Sequence, residues 1–492
     1  MKSLFLTLTV AVLGASVSAQ SLKVPQDFET IQGAIDAVNI SVTPTIQISS
    51  GTYVENLVVP ASKDGLTIQG KGKVFIDGQN GTDGLIVNSS NVTIKNLTLR
   101  HAGGAGILAF APTEGFLALT SITIDNVTVI NANDGGIDLD ADGASINKCT
   151  VVGSGAGIRV DGAGAQIMNT TVRNDCEMGI LVNGAGAQII RCTVDVIEDG
   201  NGIEINGNQC TVDRNKVSNC DGDMITITGT NATVSRNDAN NGDSRGIIVS
   251  GDGAIVDRND VNATCDELIE VSGNNVQVTS NKGSGSGSTG IDVSGTNSVV
   301  SKNTISDTGD DTSGIRVNSV GDAQVEQNRV DRAHEYGINV TATGGTVSKN
   351  QARNCGAEGP SEGGIQVSGD DNTVDSNTTQ DCTGTGLRVI GSTNTVSKNK
   401  SMRNSINGIQ IVAGGDEGGG SGLSNNLVSN NCKDNSGQGL DNGGVGTILE
   451  KNTFQKNRQD VTNRTMDGAS LVDQGGNKFT TGGLMTEPEI LD

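Results

Sequence analysis

The stretch Gly202–Asn215, GIEINGNQCTVDRN, decides how the chain folds, because most of the sequence is that stretch repeated. Its last asparagine recurs in register at Asn215, Asn237, Asn259, Asn281, Asn303, Asn328, Asn350, Asn377, Asn399, Asn431 and Asn452, with gaps of 22, 22, 22, 22, 25, 22, 27, 22, 32 and 21 residues. A fixed period of about 20–50 residues marks a solenoid, in which each repeat buries its apolar side against the next. Two short strands are written into each unit. One reads V-x-x-N, as at Val212 to Asn215 and Val234 to Asn237; the other reads G-I-x-V, as at Gly246 to Val249 and Gly290 to Val293. Apolar residues at i and i+2 around a mostly polar one are the period of a half-buried strand. No run repeats at a helical period, which excludes helical solenoids. Two strands and their turns within a 22-residue spacing predict one coil of a single-stranded, right-handed parallel β-helix.

Stacking gives the recurring residues a reason. Asparagine tolerates the left-handed conformation of a sharp turn, and identical amides stacked at strand spacing can bond to one another. The ladder asparagine is therefore expected to make the bend itself. Backward from Asn215 the same column runs through Cys192, Thr170, Cys149, Val127 and Leu97, which predicts sixteen coils over residues 97–452. At about 4.8 Å per coil the rod is roughly 75 Å long. Residues 20–96 are read as an N-terminal cap and the first coils, and 453–492 as a C-terminal cap and tail. Asp27–Asn39 is the one clear amphipathic helix, with Phe28, Ile31, Ala34, Ile35 and Val38 on one face, and is expected to cover the open end of the core.

Residues 1–19, MKSLFLTLTVAVLGASVSA, have the positive start, apolar core and small-residue end of a signal peptide. The apolar core is too short to span a membrane. The expected location is secreted or periplasmic, with no membrane insertion. The full chain carries a net charge of −23, and loss of Lys2 would make it −24. Such a surface repels polyanions and excludes nucleic acid as a partner. With no Trp and two Tyr, the chain is poor in rings for sugar stacking.

Nine cysteines cannot all pair with one another. Cys149, Cys192 and Cys210 fall on inward positions and read as buried thiols. Cys355 and Cys382 each lie five residues beyond a ladder asparagine in adjacent coils. At that spacing they form either a disulfide or a pair of exposed or half-buried thiols stacked by register.

The segments DFETIQGAIDAV (27–38), IQISSGTYVENLVV (46–59) and LTIQGKG (66–72) resemble the opening of pectin-lyase-like β-helix proteins, among them pectin methylesterases and mannuronan epimerases. The later coils resemble the β-helix repeats of carbohydrate-binding and sugar-hydrolase modules and of NosD-like periplasmic proteins. The resemblance spans the chain after residue 19 and implies the fold. The chain has no Gln-Asp followed by a DFIFG-like segment, no D-P-H, and no Asp-Asp with a downstream G-H-G, so it does not support a pectin methylesterase, an epimerase of that motif or a polygalacturonase.

Two places carry chemistry. Asp138-Leu139-Asp140-Ala141-Asp142-Gly143 matches half of a calcium loop, D-x-D-x-D-G, but its twelfth position is Cys149. On a strand, Asp138 and Asp140 point outward, with Arg159 and Asp161 over them in the next coil. Asp138, Asp140 and Asp161 are thus either a Ca2+ site or a hydrated acidic face. The second place is the coil of His334, Glu335 and Tyr336. Its neighbours carry insertions, Thr308–Ser313 and Gly356–Gly363, expected to stand as walls. The outward residues there are Arg316, Asn339, Gln366 and Arg388. Arg, His and Tyr supply charge neutralisation, a base and an acid for lyase or epimerase chemistry on a uronic acid. His334, Tyr336, Arg316 and Arg388 are the catalytic candidates, with Asn339 and Gln366 as ligand contacts. The expected function is to bind or modify an extracellular polysaccharide. The alternative is a non-catalytic rod of the cell envelope.

Overall fold

The computed structural model describes residues 21–42, 44–111, 118–356, 362–412, 424–464, 468–482 and 484–486. Residues 1–19, expected to be a signal peptide, the glycine-rich stretch 414–422 and most of the Gly356–Gly363 insertion lie outside them.

The described chain is a parallel solenoid of about 20 turns. Strand pairs from Leu22–Val24 onward are parallel and in register, each with its counterpart in the next coil. The expected parallel stack over Leu97–Asn452 is present. From Gly135 onward, however, each described coil has three strands where the sequence reads two. In one coil they are Ile203–Asn206, Thr211–Asp213 and Lys216–Cys220, here the first, second and third faces. The third strand escapes notice because its inward residues, Val217, Ala239, Val261 and Gly283 down successive coils, shrink to alanine and glycine. An apolar period of two never develops there.

Each corner is made by a residue with positive φ, but not by the ladder asparagine. Arg214, Arg236 and Arg258, one residue earlier, take φ of 56°, 55° and 56°. The asparagine that follows is buried: Asn215, Asn237 and Asn259 are each 1% exposed. Its Oδ1 accepts the backbone N–H and the side-chain N–H of the asparagine one coil before, and its Nδ2 donates to a valine carbonyl, as in Asn237 Nδ2 to Val212 O at 2.9 Å. A buried backbone N–H without a partner is costly, so this column fixes the bend from inside. Near the C-terminus the column passes through Asn430, not Asn431: Asn399 Nδ2 donates to Asn430 Oδ1 and Asn430 Nδ2 to Asn452 Oδ1, both at 3.0 Å. Asn431 pairs outward with Lys400. Two further asparagine columns, Asn372–Asn394–Asn425 and Asn404–Asn435–Asn457, hold the other two corners of the late coils.

The core is a continuous stack of Val and Ile, closed at the start by the helix Ile31–Ala37, whose Ile31, Ala34 and Ile35 are buried. The helix is shorter than the sequence suggests. Thr30 Oγ1 caps it by accepting from Gly33 N, so the residues before it are not helical. Packing is compensated locally. Where Met224 replaces the usual corner glycine, Gly242 leaves it room; where Leu268 does, Gly283 does the same.

Candidate functional site: a polar band on the first face

Two outward columns of the first face run side by side along the rod. The register joins Asp138, Arg159, Leu181, Glu204, Thr226, Ile248, Glu270, Asp292, Arg316, Asn339, Gln366, Arg388, Gln410 and Asp441 into one unbroken column. A shoulder column flanks it, three residues earlier in each coil, and includes Met178, Glu267, Ser313, Tyr336, Gly363 and Thr385. The two places singled out in the sequence therefore lie on the same band, at different heights.

At the lower place the side chains form one hydrogen-bonded run. Gln366 Nε2 donates to Asn339 Oδ1 at 3.3 Å, and Arg388 donates to Gln366 Oε1 at 3.0 Å. Tyr336 is 7% exposed, and its hydroxyl feels the charge of the Arg388 guanidinium. Burial pushes the Tyr336 hydroxyl above its ordinary range, and the guanidinium of Arg388 only partly opposes this. Arg316 is occupied: its guanidinium grips Asp292 through Nε at 3.1 Å and a terminal nitrogen at 2.6 Å. Arg388 has no carboxylate partner among the described residues.

His334 is not part of this run. The Asp311 backbone N–H donates to its Nδ1 at 3.0 Å, and its Nε2 lies 3.3 Å from Asp310 Oδ1. Nδ1 thus serves as an acceptor, and both ring nitrogens belong to the Thr308–Ser313 insertion. That insertion folds down onto His334. Among the described residues, the ring has no hydrogen bond or ion pair with Tyr336, Arg316 or Arg388.

The sequence reading gave no role to Glu335. Ser313 Oγ donates to its Oε2 at 3.2 Å. Burial raises the carboxyl above its ordinary range; Glu362 pushes the same way, against the Ser313 bond and Arg316. Backbone bonds from Gly363 N to Glu335 O and from Thr385 N to Glu362 O place the two glutamates in successive coils. The only advance signal was position, one residue before Tyr336 in a walled coil.

At the upper place the register matches expectation: Asp138 pairs with Arg159 and Asp140 with Asp161. The side chains bring an arginine and an amide into this acidic patch. Arg159 bonds Asp161 and stands 3.9 Å from Asp138, while Asn183 Nδ2 donates to Asp161 Oδ1 at 2.6 Å. The Arg159 guanidinium thus neutralises part of the acidic patch beside Asp138 and Asp161. Among the described residues no group of three or more His, Cys, Asp or Glu is placed to hold a metal ion.

Cys355 and Cys382 are neighbours and both 0% exposed, but they are free thiols, each donating to backbone carbonyls, Cys355 to Arg353 O and Cys382 to Ala352 O and Gln380 O. In-register strands hold stacked Cβ atoms about 4.8 Å apart, where a disulfide wants about 3.8 Å. Full burial also corrects the expectation of exposed or half-buried thiols. The other turn histidine, His101, is 43% exposed and has Asp77 Oδ1 3.2 Å from its Nδ1.

The family described as "Right handed beta helix region" matches residues 30–176, 178–311 and 313–481. No curated protein matches the chain. Among solved structures, the Dettilon tailspike protein is 15% identical over 70% of this chain and 68% of its own, with a TM-score of 0.39. The periplasmic alginate epimerase AlgG is 13% identical over 89% and 82%, with a TM-score of 0.24. The PL6 family alginate lyase AlyGC is 10% identical over 95% and 100%, with a TM-score of 0.28. Among the described residues no helix is long and apolar enough to cross a membrane. With the family matched over most of its length and the described coils stacked in parallel, the chain belongs to the right-handed β-helix family.

Proposed function

We propose that the protein is exported and binds an extended carbohydrate chain along the first-face band, without turning it over there. The observation that carries this reading is the run Asn339–Gln366–Arg388. It presents planar amide and guanidinium groups on successive coils about 4.8 Å apart, and its members bond one another, which holds them ready for hydroxyl groups of a ligand. Binding is favoured over lyase or epimerase chemistry for two reasons. A base must shed its proton near the working pH, and burial keeps the Tyr336 proton on. His334 is committed to its insertion.

A panel of soluble polysaccharides, neutral and uronic, tests the reading in two channels. Direct binding is expected, together with no rise in absorbance from unsaturated products. Capture of no polysaccharide would return the protein to a structural rod. Turnover abolished by Tyr336→Phe would replace binding with catalysis.

A further inference from the structure

The net charge of −23 is not spread evenly round the coil. In the lower coils the third face, with its two bounding corners, comprises residues 280–285, 302–307, 327–332, 349–354, 376–381, 398–403, 429–434 and 451–456. These segments carry 12 Lys or Arg and 4 Asp, a net of +8. All of those Asp are engaged within the strip. Asp307 and Asp331 hold Arg332, Asp381 holds Arg403, and Asp434 lies 3.7 Å from Lys433. Lys398 and Lys451 reach Asp375 and Glu450 at the edge of the second face. The remaining cations make no ion pair among the described residues. Lys282, Lys302, Arg329 and Lys349 stand exposed on four successive coils. Arg353 lies beside Lys349, half-buried, with its Nε buried and without an acceptor. Lys400 and Lys456, both exposed, continue the strip. Upstream, the equivalent corner arginines are matched: Arg214 and Arg236 pair with Asp213, and Arg258 with Asp257. Before Lys302 and Lys349 the corresponding residues are Ser301 and Ser348, which carry no charge.

We propose that this strip docks an acidic polysaccharide, a chain that carries a carboxylate or a sulfate on each sugar unit. From Lys282 to Lys349 the free cations recur coil by coil, at intervals of about 4.8 Å. An extended pyranose unit is of similar length, so each coil can meet one anionic group. Nucleic acid fits less well. A duplex places a charge about every 1.7 Å, too dense for one cation per coil, and single strands need aromatic rings to stack on, which the outward residues of the strip lack. One exposed ion pair is weak. A row of them on a single chain gains by multivalency. Charges further away than about 10 Å are screened at ordinary salt, so the local excess, and not the net charge, governs what docks there. The strip lies on a different face from Asn339, Gln366 and Arg388, and the inference does not rest on that run.

The test is the affinity of the full-length protein for dextran sulfate, polygalacturonate and neutral dextran, each in low and high salt, with duplex DNA as a competitor. Two triple variants control the site. Lys302→Gln with Arg329→Gln and Lys349→Gln removes three exposed cations from the strip; Lys23→Gln with Lys71→Gln and Lys73→Gln removes three exposed lysines from the N-terminal coils and matches the change in net charge. The expected result is saturable binding of at least one acidic polymer, lost in high salt and weakened about tenfold or more by the strip variant alone. Preference between the two acidic polymers tells whether sulfate or carboxylate is the anion taken. Any binding of neutral dextran reports on the first-face band and should be indifferent to salt and to the strip variant. No acidic polymer bound in low salt, equal weakening by the two variants, or tighter binding of duplex DNA overturns the proposal. Self-association reversed by salt, in place of polymer binding, would give the strip to a second copy of the chain and overturn it equally.

Discussion

Asn259 Oδ1 accepts two hydrogen bonds from Asn237, from its backbone N–H at 2.9 Å and from its Nδ2 at 3.0 Å, with both residues buried. Asn259→Leu removes that acceptor, and the Val234 carbonyl loses its donor as well. Each buried group left unsatisfied costs about 1–3 kcal/mol, so the expected loss is about 2–4 kcal/mol in a denaturant titration. Asn259→Thr should cost less, because Thr170 occupies this column naturally and still accepts from Cys149 N at 3.2 Å. Equal losses for Leu and Thr would show that side-chain volume, and not the hydrogen bonds, holds the bend.

Thiol chemistry checks the packing of the cysteines. Of nine free cysteines, Cys265 alone is exposed. Burial pushes the Cys149 and Cys192 thiols up to about 11 and Cys220 up to about 12, which suppresses the reactive thiolate. A native titration at pH 8 should label one thiol and an unfolded one nine. Non-reducing peptide mapping should find Cys355 and Cys382 unlinked.

Glu335 gives a pH dependence with a definite sign. Its folded carboxyl titrates above the ordinary range, chiefly through burial. The native state therefore binds its proton more tightly than the unfolded state. The stabilising contribution is complete below the unfolded value of about 4.3 and is lost as pH rises through the folded value. Glu335→Gln should leave stability unchanged near pH 3.5 and raise it at pH 7 relative to wild type. A variant less stable than wild type at both pH values would contradict the burial argument.

Glycines divide into two kinds that a pair of alanine variants will separate. A Cβ at Gly207 would lie 2.2 Å from Gly184 O and 2.5 Å from its carbonyl carbon, both backbone atoms that cannot yield. At Gly135 nothing lies nearer than 3.8 Å. Gly207→Ala should lower the melting temperature sharply or prevent folding, and Gly135→Ala should be close to neutral. Similar melting temperatures would mean that the coils separate more easily than the register implies.

The repeat made the solenoid legible, since only stacking explains eleven asparagines in step. The register of Asp138 over Arg159 followed from counting alone. What the count could not supply was which residue bends. The left-handed corner falls on Arg214, a residue without turn preference, because the asparagine after it is needed inside. The third strand was hidden because its core residues are small. At the band, sequence gathered Arg316, Asn339, Gln366 and Arg388 correctly as neighbours. It could not tell that Asp292 had already claimed Arg316, that Asp310 and Asp311 held His334, or that Arg159 bonded Asp161. Those outcomes depend on side-chain reach between coils, which spacing does not encode.

The measurement that tests the central claim most directly is the affinity of the protein for the polysaccharide it captures, compared between two double variants. Asn339→Ala with Gln366→Ala strips the first-face band; Thr346→Ala with Thr373→Ala strips outward positions on the second face, in register with each other. The account predicts a loss of about tenfold or more for the first pair and none for the second, with both proteins melting as wild type does. Equal affinity in the two variants, or no polysaccharide bound by the wild type, would contradict it.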